Sequence, residues 1–134
     1  MAQRFDAIVI GAGAAGMYCA AQAGRRGLRV ALLDHWPRLA EKIRISGGGR
    51  CNFTNLDAGR IDRFAGENPA FARNALRALP PERFIDQVRR RGIAFHEKHK
   101  GQLFCDESSE RIIAMLRERS EEHTSELQSR SDIV

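Results

Sequence analysis

A glycine triad constrains this chain more than any other feature. Residues 5–16 read FDAIVIGAGAAG, an apolar run that breaks into Gly11, Gly13 and Gly16 at the spacing G-x-G-x-x-G. The run 7–10 has the length and composition of a strand buried on both faces, and residues 14–26 have those of a helix. Between the two the backbone must reverse within a few residues. Gly11 suits the dihedral angles of such a reversal, Gly13 has no Cβ to hold a pyrophosphate off the main chain, and Gly16 lets the helix lie close to the strand. The N–H groups of Ala14, Ala15 and Gly16 would then face the phosphates, with the positive end of the helix dipole behind them.

The flanking residues carry the argument further than the triad alone. Ala20 and Ala23 suit close packing of helix on sheet, Gly27 is placed to stop the helix, and residues 29–34 (RVALLD) supply a second apolar strand ending in an acid. Asp34 stands at the separation expected of a carboxylate that takes the ribose hydroxyls of an adenosine. An acid there disfavours a 2′-phosphate, so NADP is not expected in this site. The competing reading is a glycine-rich turn in an ordinary βαβ unit with Asp34 as a solvated strand end. Strand, triad, helix, second strand and acid in this order favour the nucleotide.

Length and composition narrow the remaining classes. At 134 residues the chain has room for one small domain but too few strands for a complete doubly wound sheet. No run reaches the length of a membrane span and the N-terminus carries no secretory pattern, so a cytoplasmic protein without membrane contact is expected. Cys19, Cys51 and Cys105 are odd in number without a C-x-x-C pair, and the four histidines lack ligand spacing. Neither a disulfide framework nor a metal site is indicated. The net charge of +5 and the run Arg89, Arg90, Arg91 raise the question of nucleic acid. That run ends a predicted helix, where cations meet the negative end of the dipole, and no aromatic interleaving or recognised motif accompanies it. It reads as a solvated helix terminus, with nucleic acid not expected as a partner and the positive field available to an anionic cofactor.

A second glycine cluster follows at residues 46–55, SGGGRCNFTN. Gly47, Gly48 and Gly49 leave their amides with little steric cover, Arg50 adds a charged fork suited to phosphate, and Ser46, Asn52, Thr54 and Asn55 can tie the loop to itself. Taken with the N-terminal AIVIGAGAAG, this motif resembles that of the BaiN-like bacterial flavoproteins, the aminoacetone-oxidase family of FAD-binding oxidoreductases. The resemblance spans residues 5–118 and implies FAD. It places the pyrophosphate on Gly11, Gly13 and Gly16, the adenosine ribose on Asp34, and the flavin side of the site on Gly47, Gly48, Gly49, Arg50, Cys51 and Asn52. It also gives Lys42 the role of a basic contact just before that loop, while Glu41 occupies a position where a second basic residue is expected. Cys51 beside a flavin is either a redox partner or a small packed residue; with no second cysteine near it in sequence, the packed role is preferred.

Downstream, Asn68 and Pro69 read as the cap and first position of a helix carrying Phe71, Ala75, Leu76 and Leu79, ended by Pro80 and Pro81. A second helix is expected over 81–91, with Phe84, Ile85 and Val88 on one face and Gly92 at its end. Residues 93–97 and 102–105 suggest a hairpin, in which His96 and His99 have no assignable carboxylate or nucleophile partner. Ser108 or Ser109 would cap a helix bearing Ile112, Ile113 and Leu116. Residues 119–129 (RSEEHTSELQS) match, in frame and without a gap, the translation of a sequencing-library adapter. They and 130–134 are therefore read as a non-native tail, and without its two arginines and four acids the net charge rises from +5 to +7.

The expected protein is thus α/β: an incomplete Rossmann-like FAD-binding domain over 1–118, the βαβ start of a doubly wound parallel sheet followed by helices and a hairpin. It would be the cofactor-binding portion of a flavin-dependent oxidoreductase, cut before its small-molecule substrate site and inactive by itself; NAD(P)H is a candidate reductant of the whole enzyme, and the sequence leaves its use open. No catalytic residue is assigned. The rivals are a dehydrogenase-type domain holding NAD and a basic nucleic-acid-associated protein.

Overall fold

The computed structural model describes residues 2–123 together with the main chain of 126–128. Contacts divide the chain into two compact units, Met1–Ile45 with Ile113–Val134, and Ser46–Ile112.

The first unit begins with β1 (Ala7–Ile10), α1 (Ala14–Arg25) and β2 (Val30–Leu33). The two strands are parallel, with Ala7 opposite Val30 and Ile10 opposite Leu33, so α1 is the crossover that parallel pairing requires. It packs on both strands, burying Met17, Ala20 and Ala21, and ends where Gly27 turns at φ +86°. Val30, Ala31 and Leu32 are buried, as a near-continuous apolar strand should be. β1 departs from that expectation. Ile8 and Ile10 are 60% and 85% exposed, because α1 covers one face only and, among the described strands, β1 has a neighbour on one edge.

A short helix, α2 (Glu41–Ile45), follows β2 and buries Ile43. In the second unit the main chain forms an antiparallel sheet from β3 (Asn52–Asn55), β4 (Phe95–Glu97) and β5 (Gln102–Cys105), in the order β3-β5-β4. The β4–β5 hairpin is the expected one, turning through Lys100 and Gly101 at φ +51° and +76°. β3 is not among the elements expected from the sequence. It is held by pairing with β5, with a register shift between Asn52 and Thr54.

The helices of this unit divide into one that buries a face and one that does not. The helix expected over 68–79 is a 3-10 turn, Pro69–Ala72, followed by α3 (Arg73–Ala78). Neither buries a residue, Asn68 makes no side-chain cap, and Phe71 is 88% exposed. The helical spacing of apolar residues there does not mark a core face. By contrast α4 (Pro81–Arg90) begins on proline, buries Ile85 and Val88 and is followed by Gly92 at φ +65°, all in keeping with its sequence.

The last helix, α5 (Glu110–His123), buries Ile112, Ile113, Met115 and Leu116. It continues through the first residues of the stretch read as a tail. Arg117 and Glu121 pair at 2.7 Å one turn apart, and buried Ser120 donates its hydroxyl to the Arg117 carbonyl at 2.8 Å. Within the first unit, β6 (Glu126–Gln128) runs parallel to β2. Residues 124, 125 and 129–134 of that stretch lie outside the described residues.

Candidate dinucleotide site

The three glycines of the first cluster do three different things. Gly11 follows β1 at φ +100° and donates its N–H to the Leu33 carbonyl at 2.7 Å, so the turn is anchored to the end of β2. Gly16 lies against that turn: a Cβ built on it would stand 1.7 Å from the Gly11 carbonyl oxygen. No side chain can occupy that space while strand and helix keep their places. Gly13 is the residue before α1, in extended conformation, and a Cβ on it would meet nothing within 4 Å. It faces open space.

That open space adjoins an uncapped helix N-terminus. Gly13 has no side chain to offer α1, no side-chain cap bond is formed there, and the first turn holds no acid. The N–H groups of Ala14, Ala15 and Gly16 have no partner within the helix for geometric reasons, and the dipole of twelve residues stands behind them. An oxyanion is the partner such a terminus accepts.

Asp34 is tied into the same turn. It is 8% exposed; its Oδ2 accepts the N–H of buried Ala12 at 2.6 Å and its Oδ1 that of Trp36 at 2.9 Å. The sequence suggests a carboxylate turned to a ribose. The structure adds that this carboxylate fastens the glycine loop to the end of β2, with lone pairs beyond those two bonds. Lys42, on α2 of the same unit, is exposed, and Glu41 beside it pairs with Arg44 at 2.9 Å.

The second cluster lies in the other unit. Gly47, Gly48 and Gly49 turn at φ +59°, +65° and +84°, and Cys51 at φ +55°, a left-handed run in which only glycine is unstrained. Gly48 and Gly49 have open space at their Cβ positions. Gly47 instead lies on Phe104, whose Cε1 would be 2.7 Å from an added Cβ. The loop is pinned at several points: Cys51 N–H to the Ser46 carbonyl at 3.0 Å, Cys105 N–H to the Arg50 carbonyl at 2.9 Å, and Ser109 N–H to the Gly49 carbonyl at 2.8 Å. The Arg50 guanidinium, itself exposed, donates to the Asp106 carbonyl. Asn52 opens β3 with its side chain exposed.

Cys51 is buried, and burial raises its thiol above the ordinary range, only partly offset by a hydrogen bond with Ser46. Fully buried Cys105 is pushed up to about 11, first by burial and then by neighbouring Cys51 and Asp106. Burial covers both thiols and disfavours the thiolate, the form that acts as a nucleophile. The sequence shows no cysteine close to Cys51; the fold supplies Cys105 from β5. It also supplies a partner for His96. Its Nδ1 lies 2.6 Å from Asp106 Oδ1, with the ring stacked on Phe104 at 6.4 Å between centroids. Antiparallel pairing of β4 with β5 brings these two together, a proximity invisible before the register is known.

The match to known proteins follows this geometry. The model of the HI0933-like protein Rossmann domain aligns with residues 5–134. The chain belongs to that family. Two relatives, each named ribosomal RNA dihydrouridine synthase, are from Escherichia coli (48% identical over 98% of this chain) and Haemophilus influenzae (41% over 99%). The chain spans about a third, 33%, of the length of each of these relatives. Among solved structures, a 3-ketosteroid dehydrogenase from Rhodococcus jostii aligns over 94% of this chain and 38% of its own, with a TM-score of 0.54 at 15% identity. That likeness extends to the fold. Membership of the HI0933-like family and the parallel β1–β2 pair joined by α1 establish the expected α/β Rossmann class. Among the described residues no helix is long and apolar enough to cross a membrane.

Proposed function

We propose that this chain is the FAD-binding portion of a flavin-dependent enzyme that reduces uridine to dihydrouridine in ribosomal RNA. The observation that carries the cofactor reading is the bare N-terminus of α1, where the open face of Gly13 and the amides of Ala14, Ala15 and Gly16 suit a diphosphate. Asp34, held at the turn through Ala12, is placed to take a sugar hydroxyl with its remaining lone pairs. Lys42 and the loop residues Gly47, Gly48, Gly49, Arg50, Cys51 and Asn52 keep the flavin-side role that the resemblance implies, with Cys51 as packing beneath the loop.

The substrate reading rests on the two relatives, whose shared name specifies ribosomal RNA. It takes the place of the small-molecule substrate expected for an aminoacetone-oxidase-type enzyme. Reduction of uridine adds two hydrogens across one carbon–carbon double bond, and a bound flavin supplies the hydride for such a step. The residues of this chain bind and orient; no group among them is assigned to proton transfer.

A chimera tests both halves of the proposal. Residues 5–118 replace the matching part of the Escherichia coli relative, produced in cells lacking that enzyme. The expected result is a yellow protein and restored dihydrouridine in ribosomal RNA, read by mass spectrometry of its nucleosides. A folded chimera that carries NAD in place of flavin would overturn the cofactor reading, and one that carries FAD yet leaves the RNA unreduced would overturn the substrate reading. The 134-residue chain alone is expected to release FAD on dialysis; stoichiometric retention would contradict its reading as a partial site.

A further inference from the structure

Residues 60–78 form a stretch of the second unit whose helical elements bury nothing. It comprises a 3-10 turn at Ile61–Arg63, a second at Pro69–Ala72, and α3. The first turn packs on the second and the second on α3, so the surface they present is continuous. Phe71 is 88% exposed and Phe64 36%.

The charge on this surface is net positive, with Arg60, Arg63, Arg73 and Arg77 against Asp62 and Glu67. Residues 60–91 carry eight arginines against four acids. Arg60 is paired with Asp62 at 2.8 Å, but exposed Arg63, Arg73 and Arg77 form no ion pair among the described residues. Exposed aromatic rings among guanidiniums without an ion-pair partner suit bases that stack and phosphates that pair. The run Arg89, Arg90, Arg91 is not the centre of it, since Arg89 is engaged by Asp86 at 3.4 Å and lies over the Phe95 ring.

We propose that the exposed face of residues 60–78 is a docking surface for single-stranded RNA, with Phe71 stacking on a base and Arg63, Arg73 and Arg77 neutralising phosphates. This deepens the substrate reading above by naming where the RNA is held. Exposed guanidiniums without an ion-pair partner favour a polyanion over a protein partner.

The test uses the 134-residue chain and a fluorescein-labelled, uridine-rich RNA of about twenty nucleotides, long enough to cover one such surface. Anisotropy titrations at several salt concentrations give affinity and salt slope. Three variants are compared: Arg63→Gln/Arg73→Gln/Arg77→Gln; Phe71→Ala; and Arg4→Gln/Arg25→Gln/Arg26→Gln, which removes the same charge from exposed sites of the first unit. Because the patch residues bury nothing, circular dichroism and melting should match the parent.

The patch triple variant is expected to weaken binding roughly ten- to a hundredfold and to lower the salt slope by about two. Phe71→Ala is expected to weaken binding about five- to a hundredfold with the slope unchanged. The first-unit triple variant should change neither by more than about twofold. Equal losses in both triple variants, no binding by the parent chain, or a change in sedimentation of Phe71→Ala without a change in RNA affinity would each overturn the proposal. RNA binding that follows the expected pattern alongside a flavin-loaded chimera that leaves the RNA unreduced would sink the activity and spare the surface. A chimera that reduces RNA equally well without Arg63, Arg73, Arg77 and Phe71 would do the reverse.

Discussion

Gly16 and Gly13 separate what the glycine triad does for the fold from what it does for a ligand. In Gly16→Ala the new Cβ starts 1.7 Å from the Gly11 carbonyl oxygen and 2.9 Å from its carbon, both main-chain atoms that cannot swing aside. Ordinary contact needs about 3.4 Å, so α1 and the turn must part by roughly 1.7 Å. Overpacking of this kind costs about 1–3 kcal/mol or more, and alanine returns about 1 kcal/mol through its better helix propensity. The net expectation is a loss of about 1–2 kcal/mol, which lowers the urea midpoint by about 0.5–1 M.

Gly13→Ala meets nothing within 4 Å and sits at φ −86°, which any residue adopts. Its stability should stay within about 0.5 kcal/mol of the parent, since the lost glycine cap and the reduced freedom of the unfolded chain nearly cancel. Its Cβ, however, stands where a diphosphate would approach. Urea unfolding of both variants, with calorimetric titration of ADP, therefore yields two opposite profiles: Gly16→Ala less stable, Gly13→Ala stable but poor at binding. A Gly16→Ala variant as stable as the parent would refute the close-approach argument. Undiminished ADP affinity in Gly13→Ala would refute the assignment of the open face.

Asp34→Ala should cost about 1–3 kcal/mol in urea, because the buried Ala12 N–H loses its acceptor; no change would show that the bond is dispensable. Iodoacetamide at neutral pH should modify exposed Cys19 and spare Cys51 and Cys105 until the chain unfolds, which mass spectrometry reads directly. For Cys105 the folded thiol holds its proton up to about pH 11 against an ordinary 9.0, so between those values the native state binds more protons than the unfolded one. Stability should therefore fall as pH rises through that window, by at most about 2–3 kcal/mol, and Cys105→Ala should flatten the fall. Gly47→Ala should destabilise the second unit by at least about 1 kcal/mol, through positive φ and the collision with Phe104, as seen in hydrogen exchange of β5.

What could be read from the sequence was whatever depends on neighbours along the chain. The β1–α1–β2 unit was legible because an apolar run, a glycine triad and a second apolar run each act within a few residues, and Gly11, Gly16 and Gly27 do what their spacing suggests. α4 was legible for the same reason, from Pro81 to Gly92. The helical spacing of Phe71, Ala75, Leu76 and Leu79 coincides with helical turns but with no core face, since spacing shows which residues share a face and not whether anything covers it. The exposed Ile8 and Ile10 make the same point for a strand.

What could not be read needed pairing between distant segments. Asn52 and Asn55 have little strand preference of their own, and β3 depends on β5 for hydrogen bonds from about fifty residues away. The same pairing creates the contacts on which the second cluster depends. Once Asn52 lies opposite Phe104, Arg50 and Cys51 must lie near Cys105 and Asp106. Once His96 lies opposite Phe104, its imidazole comes within reach of Asp106. The left-handed turn through Gly47, Gly48 and Gly49 is thus held by β5 as much as by its own glycines. A chain with the loop intact but β5 unable to pair should lose the turn, because glycine permits these angles without enforcing them.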